Sequence, residues 1–229
     1  MKTGFILQNP HNCILKKLQN CIFSNIHFIV IILSVLWEVK MERKLNSNVY
    51  ELMLTGLMTA LVMAATSFFR IPVIATNGYI HLGDAMVFLS VLILGRKNGT
   101  IAAAGGSALA DLLGGYAHWV PWTFVIKGLM AFVTATLLAG TPRIDGAADN
   151  GQRESSGNPV SIREILAMTA GGLVMIAGYF IAHRVIYGTM AAPLAALPGN
   201  IIQAAAGVVI AEVMSAALNK ALPGVKSRC

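Results

Sequence analysis

The sequence predicts an all-α integral membrane protein, a bundle of six transmembrane helices, and three observations carry that prediction. First, the 229 residues are 56% hydrophobic and only 12% charged, with a mean hydropathy of +0.68. That is more apolar side chain than a soluble domain of this size can bury. Second, six stretches approach the roughly 20 apolar residues that a bilayer crossing needs, at 50–69, 80–95, 99–115, 119–140, 163–183 and 199–222. Third, the basic residues sort by side. With the start of the first helix in the cytoplasm, Lys40, Arg43, Lys44, Arg96, Lys97, Arg143, Arg153, Arg163, Lys220, Lys226 and Arg228 fall inside, and only Arg70 and Arg184 outside. This bias places both ends of the bundle in the cytoplasm. It also accounts for the net charge of +7 without nucleic acid, since no aromatic-flanked basic stripe exists.

In chain order, residues 1–40 form an extension unlike the rest. "CIFSNIHFIVIILSVLW" is short for a span and lacks a signal-peptide cleavage site. It is either a short apolar anchor or a mis-assigned start, since Trp37-Glu38-Val39-Lys40 can be encoded by TGG GAG GTG AAA, a ribosome-binding sequence just before Met41. Residues 41–229 are the expected membrane domain.

In the first helix, Gly56, Ala60 and Ala64 recur every fourth residue and put small side chains on one face. Such a stripe admits close helix approach, either within the bundle or against another protein. The second helix opens on His81, Gly83 and Asp84, where a carboxylate can cap free backbone N–H groups or serve a site. The third, "GTIAAAGGSALADLLGG", is built for crowded packing and carries Asp111 near its outer end. In the fourth, Lys127 is the only lysine in the core of a predicted span. Asp111 and Lys127 are therefore expected to form an ion pair, either purely structural or part of a site. The polar connection "TPRIDGAADNGQRESSGNPVS", the cytoplasmic loop at 141–162, is too rich in Gly, Asp, Asn and Ser for a core of its own. In the last helix, Asn200 and Gln203 stand one turn apart, either reading a ligand's polar edge or, for Asn200, capping locally after Pro198-Gly199.

Candidate site residues converge on the outer side. Tyr79, His81, Asp84, Asp111, Tyr116, His118, Trp119, Trp122, Lys127, His183, Tyr187, Asn200 and Gln203 all map there, whereas the inner side is merely basic. Flat rings with a few charges and amides suit a heterocyclic small molecule, although Trp and Tyr also anchor at lipid headgroups. The cysteines Cys13, Cys21 and Cys229 have no metal or redox spacing. No phosphate loop, HExxH or GxSxG motif occurs, so neither metal, cofactor nor enzymatic activity is expected. Three functions remain: a binding subunit of an importer, a stand-alone secondary transporter or channel, and, last, a membrane enzyme acting on a lipid.

The stretches "YIHLGDAMVFLSVLILG", "GGSALADLLGGYAHWVPWTFVIKGLMAF" and "PGNIIQAAAGVVI" resemble the substrate-binding S component of energy-coupling factor (ECF) vitamin transporters, in the riboflavin-type branch. The likeness covers about residues 45–222. It implies a subunit of a bacterial plasma membrane that captures a vitamin or vitamin precursor from outside. It also implies docking on a membrane coupling protein driven by two cytoplasmic ATPase subunits, with Gly56, Ala60 and Ala64 as the docking face. Ligand contacts would come from the outer loops and the outer ends of the last three helices, here Trp119, Trp122, Lys127, Tyr187, Asn200 and Gln203. A riboflavin binder of the family is expected to carry an amide and a lysine one turn apart at the mouth of the last helix; this chain has Asn200 and Gln203.

Overall fold

The computed structural model describes residues 47–68, 70–73, 78–81, 83–139 and 162–221. The extension 1–40 and the loop at 141–161 lie outside them. The order is α1 (Ser47–Phe68), β1 (Arg70–Val73), β2 (Gly78–His81), α2 (Gly83–Leu113), α3 (Val120–Leu137), α4 (Ile162–Tyr187) and α5 (Ala191–Ala221). Five of these helices are long and apolar enough to cross a membrane, and the chain is a multi-pass membrane protein.

Two expectations on the helices need correction. Residues 78–81 are not helical: they pair antiparallel with β1, Arg70 opposite His81 and Pro72 opposite Tyr79. Ile71, Val73, Tyr79 and Ile80 are strand-forming residues, and the helix starts only at Gly83. The last helix starts at Ala191 and not at 199, with Pro198 inside it. Pro198 removes only one backbone hydrogen bond, a loss that helices packed in a membrane bundle tolerate. Asn200 is therefore an interior residue of α5 and does not cap its start.

The expected second and third helices are the two arms of α2, which bends at Gly95 (φ 72°, ψ −163°), a conformation that favours glycine. The bend is a reversal. Ser90 Oγ lies 3.2 Å from the carbonyl oxygen of Gly99, whereas nine residues of straight helix would separate them by ~13.5 Å. A Cβ on Gly99 would meet Val91 Cα at 2.8 Å, so the arms touch backbone to backbone. Every residue from Gly83 to Gly95 is buried, which makes the first arm the centre of the fold.

The helices pack on one another through small residues. On α1, Leu54, Met58, Val62 and Ala65 form the buried stripe, and a Cβ on Gly106 of α2 would come 2.6 Å from the Thr59 carbonyl oxygen. The opposite face of α1 carries Gly56 and Ala60, both exposed, and half-buried Ala64. Nothing stands within 4 Å of where a Gly56 Cβ would be. On α4, Gly171 faces α3, and Gly172 faces α5, with an added Cβ 3.3 Å from that of Ala204. Several threonine hydroxyls donate to the preceding turn, as Thr55 does to Glu51 O and Thr59 to Thr55 O, both at 2.7 Å.

Arg163 closes the C-terminal end of α3. Its guanidinium donates to Leu137 O at 3.2 Å and to Ala139 O at 2.8 Å, carbonyls that the helix end leaves without partners. Replacing Arg163 with Met should lower stability by about 1 kcal/mol, read as a lower unfolding midpoint in detergent. An unchanged midpoint would mean that solvent serves those carbonyls equally well.

Candidate functional site

At the end of the bundle that carries the hairpin, α3 begins with Trp119 at its N-cap and Pro121 in its first turn. The preceding turn reverses at Gly115 (φ 82°) and is tied by Tyr116 N–H to Asp111 O at 2.9 Å. This geometry directs Trp119 against α4, where Tyr179, His183 and Tyr187 recur every fourth residue on one face. Ring centroids lie 6.1 Å from Trp119 for Tyr179, 4.7 Å for His183 and 6.4 Å for Tyr187. His118 adds a fourth ring at 5.9 Å, and His183 stacks on Tyr187 at 5.8 Å. His183 Nδ1 also lies 2.8 Å from Tyr179 O, which fixes the ring's orientation.

Beneath the rings sits a buried polar group drawn from three helices. Lys127 of α3 and Asp84 of α2, each 0% exposed, form an ion pair through Nζ and Oδ1. Gln203 of α5 donates its amide N–H to the other carboxylate oxygen, Oδ2, at 2.9 Å. Gly207, one turn further along α5, makes the approach possible, since a Cβ there would stand 2.8 Å from that of Asp84. Lys127 Nζ also lies 5.4 Å from the centroid of the Tyr179 ring, so polar group and rings meet at Tyr179.

The expected Asp111–Lys127 ion pair is not formed. Asp111 instead accepts the hydroxyl of Thr123, one turn before Lys127 on α3, and the Tyr179 hydroxyl reaches Thr123 Oγ1 at 3.4 Å. The reason is topological. The second arm of α2 ends at Asp111 beside the start of α3, while the reversal at Gly95 returns Asp84 to the depth of Lys127.

Of the residues picked from sequence, Asp84, Lys127 and Gln203 come together directly. Trp119, Tyr187 and His118 form the ring cluster, and Asp111 joins through Thr123. Trp122 and Asn200 are half-buried and make no side-chain hydrogen bond or ring contact among the described residues. Tyr79 is placed only by its strand position, opposite Pro72. The sequence reading missed Tyr179 and Thr123. Tyr179 had a signal in its spacing, four residues before His183 and eight before Tyr187; Thr123 had only its place one turn ahead of Lys127. Among the described residues no group of His, Cys, Asp and Glu is placed to hold a metal ion.

The site thus joins an aromatic cluster to a buried, internally neutralised ion pair within a bundle of membrane-spanning helices. The chain belongs to the family of the ECF-type riboflavin transporter S component, whose model it matches over residues 46–220. A protein of Pyrococcus woesei, uncharacterised, is 32% identical over 69% of this chain and 95% of its own length. The thiamine precursor transporter HmpT of Lactococcus lactis subsp. cremoris is 28% identical over 74% of this chain and 88% of its own.

Proposed function

We propose that the protein is the substrate-capture subunit of an ATP-driven importer, binding a flat heterocycle, a vitamin or vitamin precursor, from the outside. The observation that carries this reading is the wall of Trp119, Tyr179, His183 and Tyr187 above Asp84, Lys127 and Gln203. Rings of this kind stack on a planar ligand, and the polar group beneath holds its edge. Family membership and the relative named for a thiamine precursor support the ligand class.

In this reading the chain crosses the membrane six times, the two arms of α2 counting separately, with both ends of the bundle in the cytoplasm. The reversal at Gly95 beside Arg96 and Lys97 supports it. Ligand contacts extend to Tyr79, Asp111, Tyr116, His118, Trp122 and Asn200 at the same mouth. The open face at Gly56, Ala60 and Ala64 docks on a membrane coupling protein that carries two ATPases, and its exposure supports that role.

The test starts from the heterocycle that co-purifies with the detergent-solubilised protein, identified by mass spectrometry and titrated calorimetrically. Trp119→Ala should weaken its binding about 100-fold and Asn200→Ala about 10-fold, from loss of stacking area and of one amide contact. Native affinity in the Trp119 variant would remove the ring cluster from the site.

A further inference from the structure

The cation that a ligand would meet beneath the rings is already spent. Lys127 is the only lysine or arginine buried among the described residues. Its ammonium is paired with Asp84, whose second oxygen is held by Gln203. The same ammonium lies 5.4 Å from the centroid of the Tyr179 ring, directly below the aromatic wall. Asp111, 5% exposed, stands in the same connected set, through Thr123 and the Tyr179 hydroxyl. A polar tail passing the rings thus meets two carboxylates and one ammonium that is committed to one of them.

We infer, resting on the capture reading above, that the site takes its heterocycle as the free alcohol and discriminates against the phosphate monoester. A phosphate monoester carries about −1.5 to −2 charges at neutral pH. To be neutralised below the rings it would have to pull Lys127 from Asp84, leaving a buried carboxylate without its cation, and breaking one partner from a buried pair is costly. A hydroxyl enters without that exchange, donating to a carboxylate oxygen or accepting from the Gln203 amide. Arg184, which follows His183 in the chain, is exposed, so solvent screens its charge.

The experiment measures affinities for matched pairs on the purified full chain: riboflavin against riboflavin 5′-phosphate, thiamine against thiamine monophosphate, and the co-purified heterocycle against its own phosphate. The unesterified member should bind at least 100-fold more tightly. In Asp84→Asn, where Lys127 is released, the gap should narrow at least 10-fold. Equal or tighter binding of the phosphate form overturns the inference and leaves the capture reading standing. A folded Asp84→Asn variant with an unchanged ratio also overturns it, because the carboxylate would not then be the discriminating group. If no member of any pair binds, the capture reading falls and takes this inference with it. Should Asp84→Asn fail to fold, the wild-type ratio decides alone.

Discussion

Replacing Lys127 with Met should destabilise the protein by about 3–5 kcal/mol, the cost of leaving a buried carboxylate without its cation. Both partners are fully buried, so water cannot stand in for the lost ammonium. The Gln203 amide at 2.9 Å is then the neutral donor that remains from the group described above. The double variant Asp84→Asn with Lys127→Met removes both charges at nearly constant volume. It should recover to within about 1.5 kcal/mol of the native protein, because an apolar or neutral replacement of a whole buried pair is often close to neutral. Unfolding titrations of the two single variants and the double one give the coupling directly. A double variant as unstable as the sum of the singles would show that the two residues do not act as a pair. Ligand affinity separates the roles further: the double variant should fold and yet bind more weakly, since the charged pair beneath the rings is gone.

Gly171→Val is the second large effect, a loss of at least about 3 kcal/mol or failure to fold. A Cβ at this position would collide with Thr134 Oγ1 and stand 2.9 Å from the Met130 carbonyl oxygen, a backbone atom that can move only if α3 moves. Thr134 is itself held, its hydroxyl donating to that same carbonyl at 2.9 Å. Overpacking costs 1–3 kcal/mol where side chains can shift and more where backbone must. Gly56→Ala is the matched control, because nothing lies within 4 Å of its added methyl group. It should leave stability unchanged or raise it by up to about 1 kcal/mol, from the better helix propensity of alanine. A Gly171→Val protein with native unfolding behaviour would mean that α3 and α4 are less closely packed than the geometry states.

Much of this was legible in the sequence because membrane burial writes a coarse signal. The apolar stretches cover each of the described helices, the cost of an ion in hydrocarbon singles out Asp111 and Lys127, and Asp84 stands out as a carboxylate at a helix opening. What sequence could not supply was the partner. Asp111 and Lys127 stand 16 positions apart, on consecutive segments. Lys127 instead meets a residue 43 positions away, because one glycine with a positive φ reverses the chain between them. The hairpin was hidden for a different reason. Ile71, Val73 and Ile80 are as apolar as any helix residue, and a four-residue strand leaves too short a period to distinguish. Tyr179 was missed because a tyrosine in mid-helix looks like lipid-facing bulk until its spacing from His183 and Tyr187 is noticed. Pro198 reads as a helix boundary in the sequence, yet its single missing hydrogen bond is a small fraction of a 31-residue helix, and α5 runs through it.

The reversal at Gly95 also bears on how the chain enters the bilayer during synthesis. The arm from Gly83 to Leu94 is about 12 residues, or ~18 Å, long, well short of the ~30 Å of hydrocarbon that a lone segment must match. It cannot be handed to lipid by itself as its residues leave the ribosome. An arm of this length is expected to enter the bilayer only together with the Ala- and Gly-rich arm that follows and packs on it. Lengthening the turn after Gly95 with a flexible polar insert should accordingly reduce the fraction of chains that integrate, before any ligand is involved.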